Sequence, residues 1–128
     1  MFSHVMVGAD DIEASTRFYD ATLGVLGTPP GAGDDKGRVF YRSPSGVFGI
    51  TAPINGAPAS GANGGTIGFA ASSPEQVDAW HAAGLASGGT ACEDPPGVRG
   101  AAPRRLYIAY LRDPAGNKLC AVHRMPAA

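Results

Sequence analysis

His4 and Cys120 are the side chains in this sequence best suited to proton transfer or nucleophilic chemistry. An unperturbed imidazole titrates near physiological pH, so His4 could move a proton with no metal at all; the alternative is a hydrogen-bonded place within a sheet. The thiolate is the reactive form of cysteine, and a buried thiol is usually inert packing, so Cys120 is either a packing residue or a reactive group facing a cavity. Side chains able to hold a ligand accompany these two. Phe40, Phe48 and Tyr110 could stack on a flat group, and Arg42 and Lys118 flank turns where they could sit at a cavity rim. Arg99 follows Pro95-Pro96-Gly97-Val98 in a loop that runs on to Arg104-Arg105. A guanidinium there could clamp a carboxylate or phosphate, or simply form part of a solvated basic loop. Loops of that length are often functional.

The elements that must position these groups are written twice. Arg42-Ser43-Pro44-Ser45-Gly46 recurs as Arg112-Asp113-Pro114-Ala115-Gly116, each between two apolar runs. Upstream, Ser3–Val7 and Gly65–Phe69 each lead into a helix signal. A repeat of this size dictates architecture before any single motif does. In the first unit, His4–Val7 alternates like a strand, and Asp10 as N-cap with Glu13 at N3 starts a helix over about 11–22. A short extended piece near Val25–Thr28 precedes strands over Arg38–Arg42 and Val47–Ala52. In the second unit, a strand over Thr66–Ala70 precedes a helix started by Ser73 as N-cap and Pro74 at N1. A short strand near Thr90–Glu93 and a hairpin of Leu106–Arg112 with Lys118–His123 complete it. The prediction is an α+β domain over 1–128 made of two β-α-β-β-β units, one over about 2–52 and one over 66–124, joined by a linker over 53–65.

A three-residue hairpin loop, Pro first and Gly last, sets Ser43 opposite Val47 and Asp113 opposite Asn117. Phe40 then faces Ile50, and Tyr110 faces Cys120. Strand side chains alternate between faces. This register puts Val39, Tyr41, Val47, Ala109, Leu111, Leu119 and Ala121 under the helices. It turns His4, Met6, Phe40, Phe48, Ile50, Thr66, Tyr110, Lys118 and Cys120 toward the other face, whose mixed composition suits a ligand cavity or a sheet–sheet interface.

Composition removes several classes. The formal net charge is −1 and the ten basic residues form no long run, so nucleic-acid binding has no footprint. No apolar run reaches membrane-spanning length. The start, Met1-Phe2-Ser3-His4, lacks a basic n-region, which argues against a signal peptide. The 19 glycines and 11 prolines gather in loops rather than spreading as disorder would require. Two cysteines make no disulfide framework, so free thiols in a cytoplasmic protein are expected.

His4-Val5-x-Val7, Ser15-x-x-Phe18-Tyr19 and Leu23-Gly24 resemble the start of the vicinal oxygen chelate superfamily: glyoxalase I, bleomycin-resistance proteins, extradiol dioxygenases and fosfomycin-resistance enzymes. Gly65-x-x-Gly68-Phe69, Val77-x-x-Trp80-His81, Gly88-Gly89 and Arg112-Asp113-Pro114-x-Gly116-Asn117-Lys118 match its second unit, and the closing Asp-Pro-x-Gly-Asn is the most specific piece. The resemblance implies two units forming a half-open mixed sheet around a cavity, often in a homodimer, with a small-molecule ligand. It also implies metal ligands from equivalent strands, which map here to His4, Ile50, Thr66 and Cys120. Only His4 keeps the family type. Ile50 cannot coordinate, and a neutral Thr66 hydroxyl is a poor partner for a divalent ion. Cys120 could join His4 on zinc as thiolate, a two-ligand site that retains metal weakly. Two functions follow: a metal-poor protein that binds or converts a small oxygen-bearing organic molecule, or a metal-dependent lyase or dioxygenase using His4 and Cys120. Glyoxalase I activity proper is disfavoured, because its proton shuttle centres on a metal-bound water.

Overall fold

The computed structural model describes residues 1–126. The first unit comprises β1 (His4–Gly8), α1 (Ile12–Val25), β2 (Ala32–Gly33), β3 (Val39–Ser43) and β4 (Gly46–Thr51). The second comprises β5 (Ile67–Ala70), α2 (Pro74–Ala86), β6 (Thr90–Ala91), β7 (Gly97–Arg99), β8 (Leu106–Arg112) and β9 (Lys118–Arg124). One sheet has the order β1-β4-β3-β2; the other runs β5-β9-β8-β6, with β7 also paired to β8. In each, the first strand lies parallel to the last and the hairpin is antiparallel. The architecture is α+β with open mixed sheets, as the repeat predicts. Two details differ. The short strand of unit one lies at Ala32–Gly33 rather than near Val25–Thr28, because α1 continues to Val25. Gly97–Arg99, expected as loop, pairs with Leu106–Ile108.

Both helices start on capping side chains. Ser73 Oγ accepts from Gln76 N at 3.1 Å, as expected. In α1 the cap is Asp11, one residue later than predicted, and it accepts from Ala14 N at 3.0 Å. Asp10 is thereby free to bind the linker, accepting from Ala59 N at 2.8 Å. Gln76 Nε2 also donates to Val25 O at 3.0 Å, tying the start of α2 to the end of α1. The helices cover one side of both sheets. Phe18, Tyr19 and Leu23 of α1 and Val77 and Trp80 of α2 are buried with Tyr41, Leu111, Leu119 and Ala121 in one continuous core.

The two hairpins close differently. In the second, Arg112 pairs with Lys118 and Tyr110 with Cys120, the register expected for a three-residue loop. In the first, Ser43 pairs with Gly46, so Pro44-Ser45 is a two-residue connection and Phe40 lies opposite Gly49, not Ile50. A slip of one residue turns every side chain of a strand over. Phe48 and Ile50 therefore belong to the core, 7% and 0% exposed, and Val47 moves to the other face. The expected assignment of Phe48 and Ile50 to the outer face is corrected by this shorter turn.

Candidate functional site

With the register set, the side of the sheets away from the helices can be read strand by strand. Unit one presents His4, Met6, Phe40, Arg42 and Gly49; unit two presents Thr66, Gly68, Arg99, Tyr110, Lys118 and Cys120. The two sets correspond. Gly49 pairs with Met6 and Phe40, as Cys120 pairs with Gly68 and Tyr110. The position equivalent to Cys120 is thus Gly49, not Ile50. Met6 Sδ fills the space that a Cβ on Gly49 would need, and Phe40 Cδ1 lies 3.0 Å from that point. The four equivalent positions around the pseudo-twofold axis are His4, Gly49, Thr66 and Cys120.

Unit two holds a coherent group. Tyr110 and Cys120 are direct cross-strand neighbours. Lys118 Nζ sits 5.0 Å from the Tyr110 ring centre, within cation–π range, and also pairs with Glu93. Burial pushes the Tyr110 hydroxyl up, helped by Cys120 and Glu93 and opposed by Lys118 and Arg99. Burial likewise raises the Cys120 thiol, against the pull of the Lys118 cation. Cys120 therefore holds its proton more firmly than an ordinary thiol, which makes it a poor nucleophile and a reluctant ligand. Arg99 is fixed by donating to Pro95 O at 2.8 Å, so it is part of β7 rather than a free basic loop.

Unit one is built differently. Phe40 lies between two guanidiniums, Arg38 at 5.2 Å and Arg42 at 5.5 Å from its ring centre. Asp34 neutralises Arg38 at 2.7 Å. His4 is exposed, its Nδ1 2.7 Å from Ser3 Oγ. It lines a cleft of about 190 Å³ between β1, β5 and the first hairpin, with Val5, Phe48, Ile67 and Phe69 forming apolar walls. Phe48 thus reaches a cavity, but from the core side. Thr66 lies at the other end of the β1/β5 seam, in a polar cavity and a mixed one with Met6, Val7 and Ile67, both shared with Lys118. The structure brings Tyr110, Cys120, Lys118 and Arg99 together and sets Phe40 with Arg38 and Arg42. Ile50 belongs to neither group. Among the described residues, no three His, Cys, Asp or Glu side chains converge as metal ligands.

Sequence reasoning missed Arg38 and Arg112 as outer-face cations, although the parity of Val39/Tyr41 and Ala109/Leu111 implied both. The outer face carries Arg38, Arg42, Arg99, Arg112, Lys118 and Arg124, against the carboxylates of Asp34 and Glu93. Around the helices the balance reverses, with Asp10, Asp11, Glu13, Asp20, Glu75 and Asp78 against Arg17. In a chain of net charge −1, the outward strand positions therefore carry mostly cations and the helices mostly carboxylates.

The motif closing the second hairpin is structural. Asp113, 3% exposed, accepts from Ala115 N and Asn117 N, each at 2.9 Å, and from Asn117 Nδ2 at 2.9 Å. Tyr19 OH of α1 donates to the same carboxylate at 2.5 Å. Asn117 Nδ2 also donates to Gly8 O at 3.0 Å. The Asp-Pro-x-Gly-Asn segment thus locks unit two onto unit one.

This fold and sequence match one family model, that of the glyoxalase/bleomycin resistance protein/dioxygenase superfamily, over residues 1–121. The chain belongs to that superfamily. Among solved structures it is similar to a glyoxalase/bleomycin resistance protein from Albidiferax ferrireducens, at 65% identity over 97% of this chain and 99% of that one, with a TM-score of 0.93. A glyoxalase-related enzyme from Fulvimarina pelagi shares the fold at 18% identity, over 100% of this chain and 99% of that one, TM-score 0.72. A lactoylglutathione lyase from Agrobacterium tumefaciens does so at 24% identity, over 95% and 92%, TM-score 0.65. No curated protein matches.

Proposed function

We propose that this superfamily member binds a small oxygen-bearing organic molecule on the outer face of its sheets without depending on a resident metal. The observation that carries the reading is the set of axis residues: His4, Gly49, Thr66 and Cys120. Glycine offers no donor, a threonine hydroxyl is a weak one, and the Cys120 thiol is held protonated by burial. What remains suits recognition. Phe40 and Tyr110 offer ring faces to a flat group, and Lys118, Arg99 and Arg42 offer charge to its oxygens. His4 is the residue available for proton transfer, should the bound molecule be converted.

A homodimer is part of the same reading. Met6, Phe40, Val47, Tyr110 and Val122 leave half-buried apolar groups on the outer face, which a second copy would cover. The two free thiols, Cys92 and Cys120, support a cytoplasmic setting.

Elemental analysis of the purified protein, followed by calorimetry with Zn²⁺, Mn²⁺ and Fe²⁺, tests the reading. The expected result is no stoichiometric metal and weak heats unaffected by His4→Ala. Tight, stoichiometric metal abolished by His4→Ala would establish the alternative, a lyase or dioxygenase ligating through His4 and Cys120.

A further inference from the structure

We infer that the pocket between the Asn63–Thr66 loop and the Arg112/Lys118 pair is an anion subsite, built for a carboxylate or phosphate group. The cavity, about 230 Å³, is lined by Asn63, Gly64, Gly65, Thr66, Arg112 and Lys118 together with Ala62. No carboxylate and no large apolar side chain lines it. Arg112 and Lys118 are register partners, so both cations leave the hairpin on the same face, side by side. Arg112 uses Nη1 to donate to Gly116 O at 2.9 Å, which orients the guanidinium and leaves its other donors for a ligand. A planar guanidinium beside a flexible ammonium is well matched to an oxyanion.

The opposite wall is main chain. Ala62 and Gly64 both have positive φ, 48° and 94°, and Gly65 N closes the turn on Ala62 O at 2.7 Å. A turn with left-handed residues at these positions is a common setting for anions, and with Gly65 N committed to Ala62 O the wall's remaining main-chain donors are the N–H groups of Asn63 and Gly64. The Thr66 hydroxyl adds a neutral donor.

The corresponding place in unit one supports the assignment by contrast. There Arg42 pairs with Val47, so the second cation is missing. The subsite belongs to unit two alone. Its internal competitor is Glu93, which pairs with Lys118 from a side chain 45% exposed. An incoming anion displaces that carboxylate from the ammonium and not from the guanidinium. The inference deepens the proposed function by naming the ligand class as an oxyanion, and rests on it for the rest of the ligand only.

Titration of inorganic phosphate into the whole protein at constant ionic strength, followed by amide and Arg Nε signals in NMR, tests it. Saturable shifts confined to residues 63–66, 112 and 118 are expected. Arg112→Gln should weaken binding by about tenfold or more, the scale of a lost charge-assisted hydrogen bond. Lys118→Met should act in the same direction. Glu93→Gln should tighten it by about two- to fivefold, the scale of a solvent-exposed ion pair. Linear shifts matched by chloride, or affinity unchanged in both Arg112→Gln and Lys118→Met, would overturn the subsite. Saturable phosphate binding in a protein that takes no organic ligand on its outer face would keep the subsite and remove the proposed function. Organic ligands on that face, with no phosphate site, would do the reverse.

Discussion

The two hairpins share Arg-x-Pro-x-Gly and yet point their second strands in opposite senses. In the second, Asp113 has an arm long enough to accept from both Ala115 N and Asn117 N, and Gly116 takes the left-handed conformation at φ 93°. Together they stabilise a three-residue loop. In the first, Ser43 replaces the aspartate; its hydroxyl accepts from Ser45 N at 3.3 Å, donates to Gly46 O at 3.3 Å and lies 3.1 Å from Ser45 Oγ, and the strands pair again at Gly46. One residue of loop length thus decides which face of β4 meets the core. The lesson is that a turn motif specifies register through the side chain that begins it, not through proline and glycine alone.

The largest effect should come from forcing the first hairpin to copy the second. Transplanting the second turn by Ser43→Asp with Ser45→Ala favours a three-residue loop, which sets position 43 opposite Val47 instead of Gly46 and turns Phe48 and Ile50 out of the core. Losing burial of large apolar side chains at about 1.5–3 kcal/mol each, with others following, would consume most of a domain's stability. Circular dichroism and thermal melts should show a protein that is unfolded or nearly so. A variant as stable as the parent would mean that core packing, and not the turn-opening side chain, controls register.

Next in size is the asymmetry between the turn-opening side chains. Asp113→Ala strands Tyr19 OH and two Asn117 donors in a buried site, at a cost of about 3–5 kcal/mol. Ser43→Ala, on an exposed turn, should cost no more than about 0.5 kcal/mol. Urea denaturation of both variants gives the ratio directly; similar costs would remove the special status of the second hairpin.

The same network predicts a response to base. Burial first, and then the Asp113 charge, raise the Tyr19 hydroxyl well above its ordinary range. The folded state therefore favours the neutral phenol. Its stabilisation is complete below the unfolded pKa of about 10 and declines at higher pH, by up to about 1.4 kcal/mol per pH unit. Stability measured between neutral pH and strong alkali should fall along that slope, and Tyr19→Phe should flatten it. No change in slope would separate Tyr19 from the interlock.

The smallest effect concerns Cys120. Its thiol, raised by burial, should be alkylated by iodoacetamide many-fold more slowly at neutral pH than the less buried Cys92. Mass spectrometry of a labelling time course resolves the two. Faster reaction at Cys120 would restore it as a nucleophile.

Much of this was readable from residues alone, for identifiable reasons. The doubled unit, both helices and the second hairpin rest on strong local chemistry: Ser73-Pro74 starting α2, and Asp113 with Gly116 closing the turn. The correct register there placed Tyr110, Cys120 and Lys118 on one face. Pro44-Ser45-Gly46 is compatible with two loop lengths, and what separates them, Ser43 in place of an aspartate, lies outside the shared Pro-x-Gly pattern, so Phe48 and Ile50 were expected on the wrong side. The strand at Gly97–Arg99 was hidden because its partner, β8, is what makes it a strand. The polarity of the outer face needed every register at once.

The register of the first hairpin is the point on which the face assignment, the Gly49 equivalence and the composition of the site all depend. Cross-strand nuclear Overhauser effects in the isotopically labelled protein test it in one experiment. The structure predicts backbone contacts linking Tyr41 with Phe48, Arg42 with Val47 and Phe40 with Gly49. Contacts linking Phe40 with Ile50 and Ser43 with Val47 would contradict it and return Phe48 and Ile50 to the ligand face.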